Sequence, residues 1–130
     1  MRLKLYDVEN LINRVNLENN DFDFVVGISR GGLIPAALLA TKLNKPLAST
    51  YIDKQNNVYL DRKDWVFNKK VLLVDDICRS GTTLKLMKSF LEKSGVTDIK
   101  TLTLYCLPHS QFQPDFVLGK TNENICFPWD

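Results

Sequence analysis

One stretch constrains the fold more than any other: VLLVDDICRSGTT, Val71 to Thr83. Four consecutive apolar residues read as a buried strand, and they run directly into two adjacent acids and a short polar loop with one glycine. Leu84, Met87, Phe90 and Leu91 then fall at helical spacing, and Ser94-Gly95 closes that helix. A buried strand that delivers two carboxylates and several hydroxyls to the start of a helix is a strand–loop–helix unit with chemistry at its tip.

The same unit occurs earlier. Phe22 to Ile28 is apolar and rich in β-branched and aromatic residues, Ser29-Arg30-Gly31-Gly32 makes a tight loop, and Ile34, Ala37, Leu38 and Thr41 mark a helix with Pro35 in its first turn. Before it, Val8, Leu11, Ile12 and Val15 form one stripe of an amphipathic helix beginning near Asp7. After it come a strand over Leu47–Ile52, a strand over Ile99–Cys106, and short apolar segments at 115–118 and 125–127. Strands alternating with helices predict right-handed crossovers and a mainly parallel twisted sheet flanked by helices, an α/β fold. With 130 residues the chain is long enough for one core, so residues 1–130 form a single domain. The polar, asparagine-rich stretch from Asp53 to Asn68 reads as a mobile loop or hairpin in which only Val58–Leu60 can pair.

Seventeen basic against fifteen acidic residues carry no signature of nucleic-acid or membrane binding. The first ten residues lack the apolar centre of a secretion signal, and no apolar run approaches the roughly 20 residues that span a bilayer. A cytoplasmic protein is expected. Cys78, Cys106 and Cys126 are odd in number and have no CxxC spacing, so they read as small buried residues rather than disulfide or zinc ligands.

In an α/β sheet, ligands collect beyond the carboxyl ends of the strands. At Ser80, Gly81, Thr82 and Thr83 a helix begins, so free backbone N–H groups and hydroxyls can converge on a phosphate; an ordinary helix cap is the plain alternative. Asp75 and Asp76 at a buried strand end are costly unless they meet water, a cation or hydroxyl donors. A sugar diol and Mg²⁺ would answer both needs. Neither the GxxxxGK[ST] nor the GxGxxG pattern is present, which argues against nucleoside-triphosphate P-loops and dinucleotide sites.

VLLVDDICRSGTT resembles the phosphoribosyl pyrophosphate (PRPP) motif of type I phosphoribosyltransferases. FVVGISRGGLIPAALLATKL is similar to the pyrophosphate loop and following helix of the xanthine-guanine branch, and Phe127–Asp130 to its purine-site segment. The resemblance implies that Asp75 and Asp76 hold the ribose hydroxyls, with Asp76 also reaching Mg²⁺. Ser80, Gly81, Thr82 and Thr83, flanked by Arg79, would bind the 5′-phosphate, and Ser29, Arg30 and Gly31 the pyrophosphate. Asp75, Asp76 and Arg30 are the expected catalytic residues; Ile77, Leu107, Ile125, Phe127 and Trp129 are expected to wall the base. The implied reaction transfers phosphoribose from PRPP to a purine or purine-like base, releasing pyrophosphate, in a homodimer or homotetramer. Lys54, Arg62 and Lys63 would ride on a lid at 53–68.

The base side departs from the purine-branch pattern. Arg79 stands where an aspartate exchanges a proton with the purine, Leu107 where a lysine recognises the exocyclic oxygen, with no other lysine nearby, and Asn124 where a tryptophan stacks. His109 lies near the expected acceptor pocket, though a lone loop histidine is usually only solvated. The alternatives are a PRPP- or nucleotide-binding regulatory protein without turnover and, more weakly, a metal-dependent phosphohydrolase using Asp75 and Asp76.

Overall fold

The computed structural model describes residues 1–130. Helix α1 (Leu5–Arg14) leads through a single 3₁₀ turn into β1 (Phe24–Ile28), α2 (Leu33–Leu43) and β2 (Leu47–Ile52). There follow β3 (Val58–Leu60), the one-turn α3 (Lys63–Val66), β4 (Lys70–Cys78), α4 (Thr82–Lys93), β5 (Asp98–Cys106) and β6 (Phe116–Val117). The six strands lie in the order β3-β2-β1-β4-β5-β6, parallel throughout except for the antiparallel β2–β3 pair.

This order fixes where a ligand can sit. From β1 the chain crosses outward to β2, whereas from β4 it crosses in the opposite direction to β5. Right-handed crossovers of opposite sense put their helices on opposite faces. Accordingly Ala36, Leu39 and Leu43 of α2 pack with α1 in one apolar core, and Leu84, Met87 and Leu91 of α4 pack in the other. Between β1 and β4 the winding reverses, opening a crevice at their carboxyl ends.

One sequence expectation is corrected, the end of β4, and two segments read loosely from the sequence gain definition. β4 does not stop at Val74: Ile77 and Cys78 pair with Tyr105 and Cys106, so both acids lie within the strand. The stretch 53–68 holds an antiparallel pairing of Val58–Leu60 with Thr50–Ile52 and the helix α3, whose Val66 is buried. Asp53 ties the connecting turn, accepting from the N–H groups of Gln55 and Asn57, the Asn57 amide and the Tyr59 hydroxyl. Segment 125–127 forms only an isolated bridge between Arg2 and Cys126, which lays the end of the chain beside its beginning. Of the cysteines, Cys78 is buried whereas Cys106 and Cys126 are half-buried. No helix is long and apolar enough to cross a membrane.

Candidate active site

The two loops singled out by sequence are the ones at the winding reversal: Ser29–Gly32 follows β1, and Arg79–Gly81 follows β4. Glycine lets the first of them touch the end of β4. A Cβ on Gly31 would fall on the Asp76 carboxylate, and one on Gly32 would fall on the Val74 carbonyl. Only hydrogen side chains bring the first loop this close to the acids. The Ser29–Arg30 peptide bond is cis, and the Arg30 side chain is exposed.

Residues 75–84 line a cleft of about 310 Å³. Within it the two carboxyls differ. Asp76 Oδ1 accepts from the Ile77 N–H at 2.7 Å and Oδ2 accepts from the Trp129 indole Nε1–H at 3.0 Å. Asp75 Oδ1 accepts only the Asp76 N–H, at 2.9 Å. Burial, followed by the neighbouring Asp76 charge, holds the Asp75 carboxyl well above the usual carboxylate range. Such a group is poorly solvated and gains from any hydroxyl donor that enters the cleft.

The phosphate-loop geometry follows from Gly81, whose φ of +92° makes it the left-handed N-cap of α4. Ser80 and Thr82 hydroxyls lie 3.0 Å apart, the Thr82 N–H donates to Ser80 Oγ at 3.3 Å, and Ser80, Thr82 and Thr83 are exposed. Free N–H groups in the first turn of α4 therefore share one opening with three hydroxyls. Arg79 is exposed beside them.

A support that the sequence did not signal lies behind this loop. The Gln111 N–H donates to the Ser80 carbonyl at 3.0 Å, and a Cβ on Gly81 would strike Phe112. Cys78 Sγ lies 3.0 Å from Ser110 Oγ, and Ser110 donates to the Phe112 carbonyl at 2.7 Å. Burial pushes the Cys78 thiol up to about 11, which leaves it no nucleophilic role.

The residues expected to wall the base divide. Ile77, Leu107 and Trp129 are half-buried, but Ile125 and Phe127 are only 6% and 3% exposed and belong to the core formed with α1 and α2. Their chemistry is packing, because a segment bridged to Arg2 turns its alternate side chains inward. Trp129 stacks on Phe127 with centroids 5.0 Å apart and planes 7° apart. Leu107 lines a separate cleft of about 520 Å³ that also contains Lys120, so a lysine far away in sequence comes near it in space. His109 is exposed. Arg62 lies over the Trp65 ring and Lys63 over Phe90, which leaves Lys54 at the hairpin turn, on the same edge of the sheet as the two loops.

Fold and site together define a doubly wound α/β protein in which two carboxyls, three hydroxyls and a helix N-terminus share a crevice at the winding reversal. The chain belongs to the phosphoribosyltransferase family: the model of the phosphoribosyl transferase domain matches residues 3–130. It is 32% identical over 123 residues to a xanthine-guanine phosphoribosyltransferase of Chromohalobacter salexigens, covering 88% of this chain and 72% of that one. It is likewise 32% identical over 115 residues to an adenine phosphoribosyltransferase of Campylobacter fetus, covering 75% and 62%. The crystal structure of a purine phosphoribosyltransferase from Pyrococcus horikoshii superposes with a TM-score of 0.86 at 28% identity, covering 100% of this chain and 93% of that one.

Proposed function

We propose that this protein transfers the 5-phosphoribosyl group of PRPP to a purine or purine-like base and releases pyrophosphate. The observation that carries this reading is the approach of Gly31 to the Asp76 carboxylate, which joins an anion-binding loop to a diol-binding pair across one crevice. In the reaction a ring nitrogen of the base forms a bond to C1 of the ribose as the bond from C1 to the pyrophosphate oxygen breaks, through an oxocarbenium-like transition state, and the proton that nitrogen carried is released to water or to the departing pyrophosphate. Covalent participation by the protein is not needed.

Asp75 and Asp76 accept from the ribose hydroxyls and fix the ring for attack from the face opposite the leaving group. Asp75, poorly solvated in the free protein, gains hydroxyl donors when the sugar enters. Ser80, Gly81, Thr82 and Thr83 hold the 5′-phosphate with first-turn N–H groups and hydroxyls, and Arg79 adds charge beside them. Ser29, Arg30 and Gly31 receive the charge that builds on the departing pyrophosphate. Ile77, Leu107 and Trp129 border the base. The hairpin turn carrying Lys54 closes over the reacting centre and excludes water.

Mg²⁺ fits this donor set in one way. No group of three acidic, histidine or cysteine side chains comes together in the fold. Asp76 would therefore hold the ion with water and substrate oxygens, as Mg²⁺ commonly binds. Once bound, it supplies positive charge that neutralises the pyrophosphate.

Relatives at the same 32% identity are named for different bases, xanthine and guanine in one and adenine in the other, so identity alone does not select the acceptor. A second reading, PRPP binding without transfer, draws on Arg79, which cannot act as a base, and on Leu107, which cannot donate to an exocyclic oxygen. The transferase reading extends to purine salvage in the cytoplasm by a homodimer or homotetramer, which sedimentation tests. Pyrophosphate release in the presence of PRPP, Mg²⁺ and each of hypoxanthine, guanine, xanthine, adenine, uracil and orotate separates the two readings. Release that depends on one added base supports transfer. PRPP binding with no release from any base supports the regulatory protein.

A further inference from the structure

We infer that Trp129 is a positioning residue, which fixes the Asp76 carboxylate through its indole N–H. This rests on the transferase reading, in which Asp76 receives the ribose. The contact joins residues 53 apart in sequence, with Nε1 donating to Oδ2 at 3.0 Å.

Both partners are held from behind. On the indole side, the ring lies flat on Phe127, itself 3% exposed in the core. The Phe127 N–H donates to Asp130 Oδ2 at 2.9 Å and the Asp130 N–H returns to the Phe127 carbonyl at 3.1 Å, so the Phe127–Asp130 turn is closed by its own hydrogen bonds. The turn is moored to the start of the chain: the Leu3 N–H donates to the Cys126 carbonyl at 2.9 Å and the Cys126 N–H to the Met1 carbonyl at 2.8 Å. On the other side, Ile77 N–H fixes Asp76 Oδ1 and Gly31 packs against the same carboxylate.

A carboxylate has about four acceptor positions, so two N–H donors fix its plane and still leave acceptor positions for a substrate hydroxyl. Without the indole donor, Asp76 would have to be ordered at the moment of binding, and ordering a side chain weakens association by roughly three- to tenfold. Trp129 thus acts on the ribose through Asp76, and the end of the chain becomes part of the site without reaching the reacting atoms.

Two measurements on the whole chain test this. The first is the ¹⁵N-indole spectrum of the ligand-free protein, with Trp65→Phe assigning the second tryptophan. The Trp129 Nε1–H resonance is expected to be slow to exchange with solvent and to move in Asp76→Ala. The second is calorimetric titration with Mg²⁺ and PRPP. Trp129→Phe keeps an aromatic ring for Phe127 and removes the donor, and is expected to bind three- to tenfold more weakly at a near-unchanged unfolding temperature. An indole resonance indifferent to Asp76→Ala, or wild-type affinity in Trp129→Phe, overturns the inference alone. A folded wild type that binds no PRPP overturns the reading on which it rests.

Discussion

Thr103 lies directly opposite Asp75 in the β4–β5 ladder, and its Oγ1 is the buried side-chain oxygen left without a hydrogen-bond partner. An orphaned hydroxyl in a fully buried position costs about 1–3 kcal/mol relative to a satisfied one. Replacing it by a methyl of the same shape removes that cost, so Thr103→Val is expected to raise stability by about 1 kcal/mol, read from the urea midpoint at constant slope.

Asp75→Asn separates stability from binding. The folded protein keeps the Asp75 carboxyl protonated into a pH range where the unfolded chain, with a value near 3.8, has lost the proton. Stability of the native protein therefore falls as pH rises through the window from about 4 up to the raised folded value. The asparagine variant carries no such burden. Its thermal midpoint is expected to equal the wild type's below that window and to exceed it at neutral pH, while PRPP binding is lost. A pH series of melting curves checks both the sign and the window.

Gly81→Ala places a side chain at φ +92° and aims its Cβ at Phe112. The strained backbone alone costs about 1–3 kcal/mol, and relief of the clash displaces the turn ahead of α4. We expect a lower denaturation midpoint together with weaker binding of inorganic phosphate or PRPP, the second measured by calorimetry on the fraction that remains folded.

Lys120 shares a cleft with Leu107, where the sequence offered no cation. If this lysine reads an exocyclic oxygen of the base, Lys120→Met lowers kcat/KM for 6-oxopurines by roughly 10–100-fold, the range for losing a charged hydrogen bond, and leaves the affinity for PRPP unchanged. Equal losses for oxo- and aminopurines would instead assign Lys120 to general electrostatics.

Much of this candidate site was legible before folding, because the residues that line it are contiguous: Ser29–Gly31 and Asp75–Thr83 each occupy one strand–loop–helix unit. The strand boundary is not legible locally, since Ile77 and Cys78, on the far side of two acids, continue the ladder only through pairing with Tyr105 and Cys106. What could not be read was what distant segments supply. Nothing in the local pattern of Phe127–Asp130 says that Trp129 reaches Asp76, or that Ile125 and Phe127 turn into the core. The same holds for Ser110–Phe112 behind Gly81 and for Lys120 beside Leu107, contacts set by how the chain after β5 returns over the sheet.

Calorimetric titration of the wild type and Asp75→Asn with PRPP in the presence of Mg²⁺ tests the assignment of the crevice without intermediaries. Saturable one-to-one binding by the wild type and none by the variant is expected, with both proteins folded at the titration pH. Equal binding by the two, or no binding by a folded wild type, would contradict the assignment of the crevice between β1 and β4 to the phosphoribosyl group.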